Sequence, residues 1–119
     1  MTIIDSLAIA ILGGIGAVGR LFLAQWLGKL PWGILAANTA ASFIAGFGAV
    51  AIQANPIAAA IVISGLCGGL STFSTFSAQT VGYFKAKQLA RGVINMVLNF
   101  VLPSVAVFLG AFISYTLLK

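Results

Sequence analysis

The chain of 119 residues contains no histidine, one cysteine and one carboxylate, Asp5. These gaps exclude most chemistry at once. Without histidine and with a lone acid, no Ser/His/Asp set can be assembled, and general acid–base catalysis has almost nothing to work with. A zinc site of His and Cys ligands and an internal disulfide are ruled out within one chain for the same reason. An enzyme is therefore not expected. Cys67 stands among glycines in an apolar run and reads as a small packing residue.

Charge is scarce as well. Charged residues make up 6% of the chain against 61% hydrophobic, and the mean hydropathy is +1.17. A soluble domain of this size could not cover so much apolar surface, so membrane lipid must be its solvent. Six Lys and Arg against the one acid give a net charge of +5. A nucleic-acid binder would gather those cations on a polar face, and there is none here. Cationic flanks of membrane spans account for them instead. The N-terminal stretch lacks a basic leader and is longer than a signal-peptide core, so it is expected to be kept as a span.

A helix needs about 20 apolar residues to cross the hydrocarbon layer. The pattern predicts four such spans, at residues 4–27, 32–53, 57–84 and 92–117. The breaks are GKLP around Lys29 and Pro31, ANP around Asn55 and Pro56, and KAKQLAR up to Arg91. Links this short force neighbouring spans to run antiparallel, so both termini lie on one side. The expected fold is an all-α membrane protein with four transmembrane helices in a single domain, residues 1–119.

The polar residues inside the spans are few. In span one, GGIGAVGR sets Gly13, Gly16 and Gly19 along one helical face, where another helix can approach closely. Arg20 ends that motif. It lies about four helical turns from Asp5, too far to pair with it, so it either snorkels to an interface or faces a watery vestibule that draws anions. In span two, Asn38 precedes Thr39 and Ser42, and its amide fits interhelical bonding and an ion-lining role equally. In span four, Asn95 and Asn99 share a face ahead of Pro103, and helix–helix hydrogen bonding is the favoured role. Trp26 and Trp32 flank the first connection as an interfacial belt would, and Ser114 and Tyr115 read as interfacial.

One stretch does not suit a plain span: GLCGGLSTFSTFS, at residues 65–77. Gly65, Gly68 and Gly69 weaken a helix. Ser71, Thr72, Ser74, Thr75 and Ser77 follow, interleaved with Phe73 and Phe76. In lipid a freed backbone group has no water to bond, so a broken helix survives only against protein or a water-filled path. A break in the third span, with hydroxyls and aromatic edges beside it, is how membrane proteins build ion sites. Ring edges carry partial positive charge and can hold a partly dehydrated anion. The stretch is read as an ion pathway.

With GGIGAVGR, GILAANTAASFIAG and GLCGGLSTFSTFS in this order, the whole chain resembles the Fluc (CrcB) fluoride channels of microbial cell membranes. The resemblance implies a multi-pass, fluoride-selective passive channel that exports fluoride and reduces its toxicity. It also implies an antiparallel two-fold dimer with two pores and a structural sodium ion at its centre. Carried over by position, Phe73 and Phe76 would line the pore, with Asn38 as amide donor, Ser74 and Thr75 as polar track and Arg20 as vestibule cation. Gly68 and Ser71 would supply carbonyl oxygens to the sodium. Ser71, Ile34 and Ala41 depart from the family's usual Thr, Thr and Gly, and the last two bear on the packing around Asn38.

The positive-inside rule sets Lys29, Lys85, Lys87 and Arg91 against Lys119, favouring both termini outside. An antiparallel homodimer needs one chain inserted both ways. That bias therefore leaves open a heterodimer with an opposite-orientation paralogue beside the preferred homodimer. Two other readings remain: a non-conducting structural subunit, and a small multidrug transporter-like exporter. The exporter would need a membrane-embedded acid for proton exchange, and the chain has none.

Overall fold

Thr2 and Asp5 start the first helix by capping each other. The Thr2 hydroxyl accepts from the Asp5 amide at 3.2 Å, and the Asp5 carboxylate accepts from the Thr2 amide at 2.8 Å. This reciprocal box satisfies orphan donors and sets a negative charge at the positive end of the helix dipole. The only acid in the chain is thus engaged at a helix end. The computed structural model describes residues 2–26, 32–71 and 73–118, the side chains of Phe73 and Ser74 excepted. Lys29, Pro31, Thr72 and Lys119 lie outside the described residues.

Helix α1 is Ile3–Ala24 and α2 is Trp32–Ala51. Asn55 caps α3, Pro56–Ala60, by accepting from the Ala58 amide at 3.1 Å, with Pro56 in the first turn where a missing N–H costs nothing. The chain runs on through a π-helical segment, Ile61–Cys67, into the short α4, Gly68–Leu70. Ser71 takes extended angles (φ −80°, ψ 155°), and α5 covers Phe73–Lys85. Lys87, left-handed at φ 60°, closes α5: its amide donates to the Phe84 carbonyl and that of Gln88 to the Tyr83 carbonyl. Helix α6, Leu89–Leu118, continues without a break through Pro103.

Four stretches of the described chain are long and apolar enough to cross a membrane: Ile3–Ala24, Trp32–Ala51, Pro56–Lys85 and Leu89–Leu118. They match the expected spans to within a few residues. Two features differ. Gly68 and Gly69, expected to loosen the third span, are helical, and the angles turn extended only at Ser71. The π-helical segment had no counterpart in the expectation, because an i→i+5 register leaves no composition signal.

The spans pair in parallel. Gly69 meets the Gly13 carbonyl and Gly16 meets Leu70, so residue numbers rise together along α1 and the third span. In the same way Asn38 meets Asn99 and Gly46 meets the Val107 carbonyl along α2 and α6, with Gly110 packed against the Phe43 carbonyl and the Phe47 amide. Small residues at both seams bring backbones into contact, which is how helices associate where lipid removes the hydrophobic drive. The largest side chains with almost no exposure are Ile34, Asn95 and Ser114, two of them polar. Ser114, read as interfacial, is instead fully buried. Large apolar side chains point outward, Phe22, Phe108 and Phe112 among them, as lipid-facing surface requires.

Candidate functional site

Helix α6 carries Asn95 and Asn99 one turn apart, and α2 and α5 both pack against that face. A chain of side-chain hydrogen bonds crosses the three helices there. Asn38 Nδ2 donates to Asn99 Oδ1 at 3.1 Å. Asn99 Nδ2 donates to both the backbone oxygen and Oδ1 of Asn95, each at 3.0 Å. Asn95 Nδ2 donates to Thr80 Oγ1 at 3.0 Å, and the Thr80 hydroxyl donates to the Phe76 carbonyl at 2.9 Å. Interhelical bonding by Asn95 and Asn99 is therefore observed. Polar groups in a membrane interior need such partners, since water is not there to replace them.

Beside this chain lies a cavity of about 810 Å³, lined by Asn38, Ser42, Ser71, Phe76, Met96, Val97, Asn99, Phe100, Val101 and Pro103. Among the described residues no charged one lines it. Its described polar groups are neutral amides and hydroxyls, and its described aromatic groups are Phe76 and Phe100. Pro103 has no N–H, so the carbonyl of Asn99, four residues earlier, loses its ordinary helical donor beside the same cavity. Neutral donors and ring edges can replace part of an anion's hydration without trapping it, as a fixed full charge would.

Of the residues singled out from sequence, Asn38, Ser71 and Phe76 come together on this wall. Thr75 lies half-buried on α5 and Arg20 half-buried on α1, and neither is among the lining residues. Gly68 sits in α4, also off the wall. The side chains of Phe73 and Ser74 lie outside the described residues. Among the described residues no cluster of His, Cys, Asp or Glu able to hold a metal is found. Thr80 escaped the sequence reading. Its spacing of four from Phe76 was the available signal, since a threonine hydroxyl in a helix reaches the carbonyl one turn back.

Fold and site together define a small four-span membrane protein with a cavity between helices that its described residues line with amides and hydroxyls. The chain belongs to the CrcB-like family (CrcB-like protein, Camphor Resistance), whose profile matches residues 7–111. It is 39% identical over 111 residues to a protein of a Sulfurovum species named fluoride-specific ion channel FluC, covering 87% of this chain and 88% of that one. Proteins of the same name from a Nitratiruptor species and Escherichia coli are each 37% identical to it, over 80% and 78% of this chain and 80% of each relative.

Proposed function

We propose that this protein is a passive, fluoride-selective channel of the cell membrane, not an enzyme, through which fluoride leaves the cytoplasm. One observation carries this reading beyond the family name: Asn38, Ser71 and Phe76 meet on one cavity wall that no charged residue lines among those described. Fluoride is small and strongly hydrated, so a selective path must offer close neutral donors in place of water. Asn38 is the amide donor, Phe76 and Phe73 supply ring edges, Ser74 and Thr75 the polar track, and Arg20 the cation that draws anions towards the entrance. The third span is broken after Leu70, a reading supported by the extended angles of Ser71.

The working unit is an antiparallel dimer, with a sodium ion at its centre held by the carbonyls of Gly68 and Ser71. A hard cation suits carbonyl oxygens. Extended angles at Ser71 end the helical run and fit it for such a role. A proton-coupled exporter is disfavoured because Asp5 is engaged in the capping box at the start of α1. The cationic bias of the connections around Lys85, Lys87 and Arg91 favours one orientation, and with it a heterodimer as the second reading.

The test is fluoride efflux from liposomes holding the purified protein alone, with chloride as control. Fast fluoride flux without chloride flux is expected, and Phe76→Ala should abolish it without changing the elution volume. No flux from folded protein, restored by co-expression with an opposite-orientation paralogue, would select the heterodimer. No flux in either case would sink the channel reading.

A further inference from the structure

The polar chain has a hub that does not face the cavity. Asn95 is 2% exposed and Thr80 5%, and neither is among the lining residues. We propose that Asn95 and Thr80 are positioning residues of the conduction path. Together they fix the turn of α5 that carries Phe76 and, through Asn99, the orientation of the Asn38 amide. This inference rests on reading the cavity as a fluoride path.

A threonine bonding the carbonyl one turn back in its own helix is ordinary, and alone it means little. Here a second helix claims the same hydroxyl. Thr80 aims its hydrogen at the Phe76 carbonyl while its oxygen accepts from Asn95 on α6. The hydroxyl rotor is thereby fixed from both sides, and α6 is tied to the α5 turn that begins at Phe76.

The sense of the chain is also fixed. Reversing the Asn99 amide would set its NH₂ against the Asn38 NH₂ and its oxygen against the Asn95 carbonyl. Reversing the Asn95 amide would set NH₂ against the NH₂ of Asn99. One arrangement therefore satisfies all of the bonds. In that arrangement the Asn99 amide directs its nitrogen to Asn95 and its oxygen to Asn38. Although it lines the cavity, Asn99 serves to hold Asn38 and does not donate to an anion. Two cavity residues on different helices, Asn38 and Phe76, are thus set by one buried asparagine on a third. With no water at this depth to take over a lost bond, the hub has no ready substitute. A fluoride path needs short donor distances, so small displacements at its wall should be felt strongly; misplacement of about 1 Å can cost roughly a hundredfold in rate at an enzyme site.

The test compares Thr80→Ser, Thr80→Val and the double variant Thr80→Val/Asn95→Leu in liposomes, after wild type. Absence of wild-type flux would count against the channel reading itself and not against this inference. Serine keeps the hydroxyl, valine keeps the shape without it, and the double variant removes both ends of the Asn95–Thr80 bond while Asn99 keeps its bond to the Asn95 backbone carbonyl, which usually disturbs folding least. Thr80→Ser should conduct within about twofold of wild type, while the other two lose about tenfold or more and discriminate less against chloride. The unfolding midpoint and elution volume of the double variant should stay with wild type. The proposal is overturned if a folded Thr80→Val or double variant conducts and discriminates as wild type does. It is equally overturned if Thr80→Ser fails along with Thr80→Val, or if both valine variants collapse, which would make the pair a stability element only.

Discussion

Gly69 of α4 rests against the carbonyl oxygen of Gly13 on α1, backbone to backbone with no side chain between them. A Cβ there would strike main-chain atoms, which cannot swing aside as a flexible side chain can. Gly69→Ala is therefore expected to lower stability by about 1–3 kcal/mol, the usual cost of overpacking. Gly82 on α5 has nothing within 4 Å of a Cβ, so Gly82→Ala should leave stability unchanged or raise it by up to about 1 kcal/mol through helix propensity. Thermal unfolding of both variants in detergent checks the pair. Equal midpoints would mean that the seam between α1 and the third span can open at little cost.

Removing the Asn38 side chain takes away a donor at the cavity and leaves the Asn99 oxygen without its bond from α2. A hydrogen bond to a charged partner contributes about 1.5–3 kcal/mol, so Asn38→Ala should reduce fluoride flux by about ten- to a hundredfold. Flux measured over a range of fluoride concentrations gives the answer. Wild-type flux in this variant would leave Asn38 as helix–helix glue alone.

Arg20 lies half-buried on α1 and away from the cavity wall, so any effect on fluoride must act through its field. Field effects of exposed charge fade with salt, over a screening length of about 10 Å at 0.1 M and about 3 Å at 1 M. Arg20→Gln should lower fluoride flux several-fold at low ionic strength and approach wild type at high ionic strength. A loss independent of salt would point to a packing role.

If, as proposed, sodium binds the folded dimer alone, the unfolding midpoint should rise with sodium concentration, by mass action. If the ion is held by backbone oxygens, Ser71→Ala keeps that response, because the carbonyl survives the loss of the hydroxyl. Unfolding in sodium and in a bulky organic cation compares the two. A sodium response abolished by Ser71→Ala would shift the ligand from carbonyl to hydroxyl.

Much of this protein was legible in the chain. Apolar runs long enough to cross the hydrocarbon layer, interrupted at Pro31, Asn55 and the cationic stretch ending at Arg91, leave few alternatives to four spans. Gly13, Gly16 and Gly19 announced a close helix contact, and Gly13 and Gly16 make one. The pattern of hydroxyls and phenylalanines marked the third span. By contrast, Gly68 and Gly69 promised a loosened helix and are helical, and at Gly69 the missing side chain is what admits α1 at Gly13. Low propensity and close packing both select glycine, and sequence cannot tell which is at work.

What the sequence determined by itself was therefore solvent, span number and chemical class, since each follows from composition and from the length of apolar runs. A single acid, Asp5, and no histidine also left little for catalysis or proton exchange to work with, without any geometry. Only the tertiary structure decided which polar residues meet. Asn38, Thr80 and Asn99 are separated by tens of residues and lie on three helices, and their union depends on the rotation of each helix about its axis. The rotations of α2 and α6 are set by their glycine seam at Gly46 and Gly110, where backbone contact leaves little freedom to turn, and that of α5 by the close approach of the Phe84 ring to Gly92 on α6.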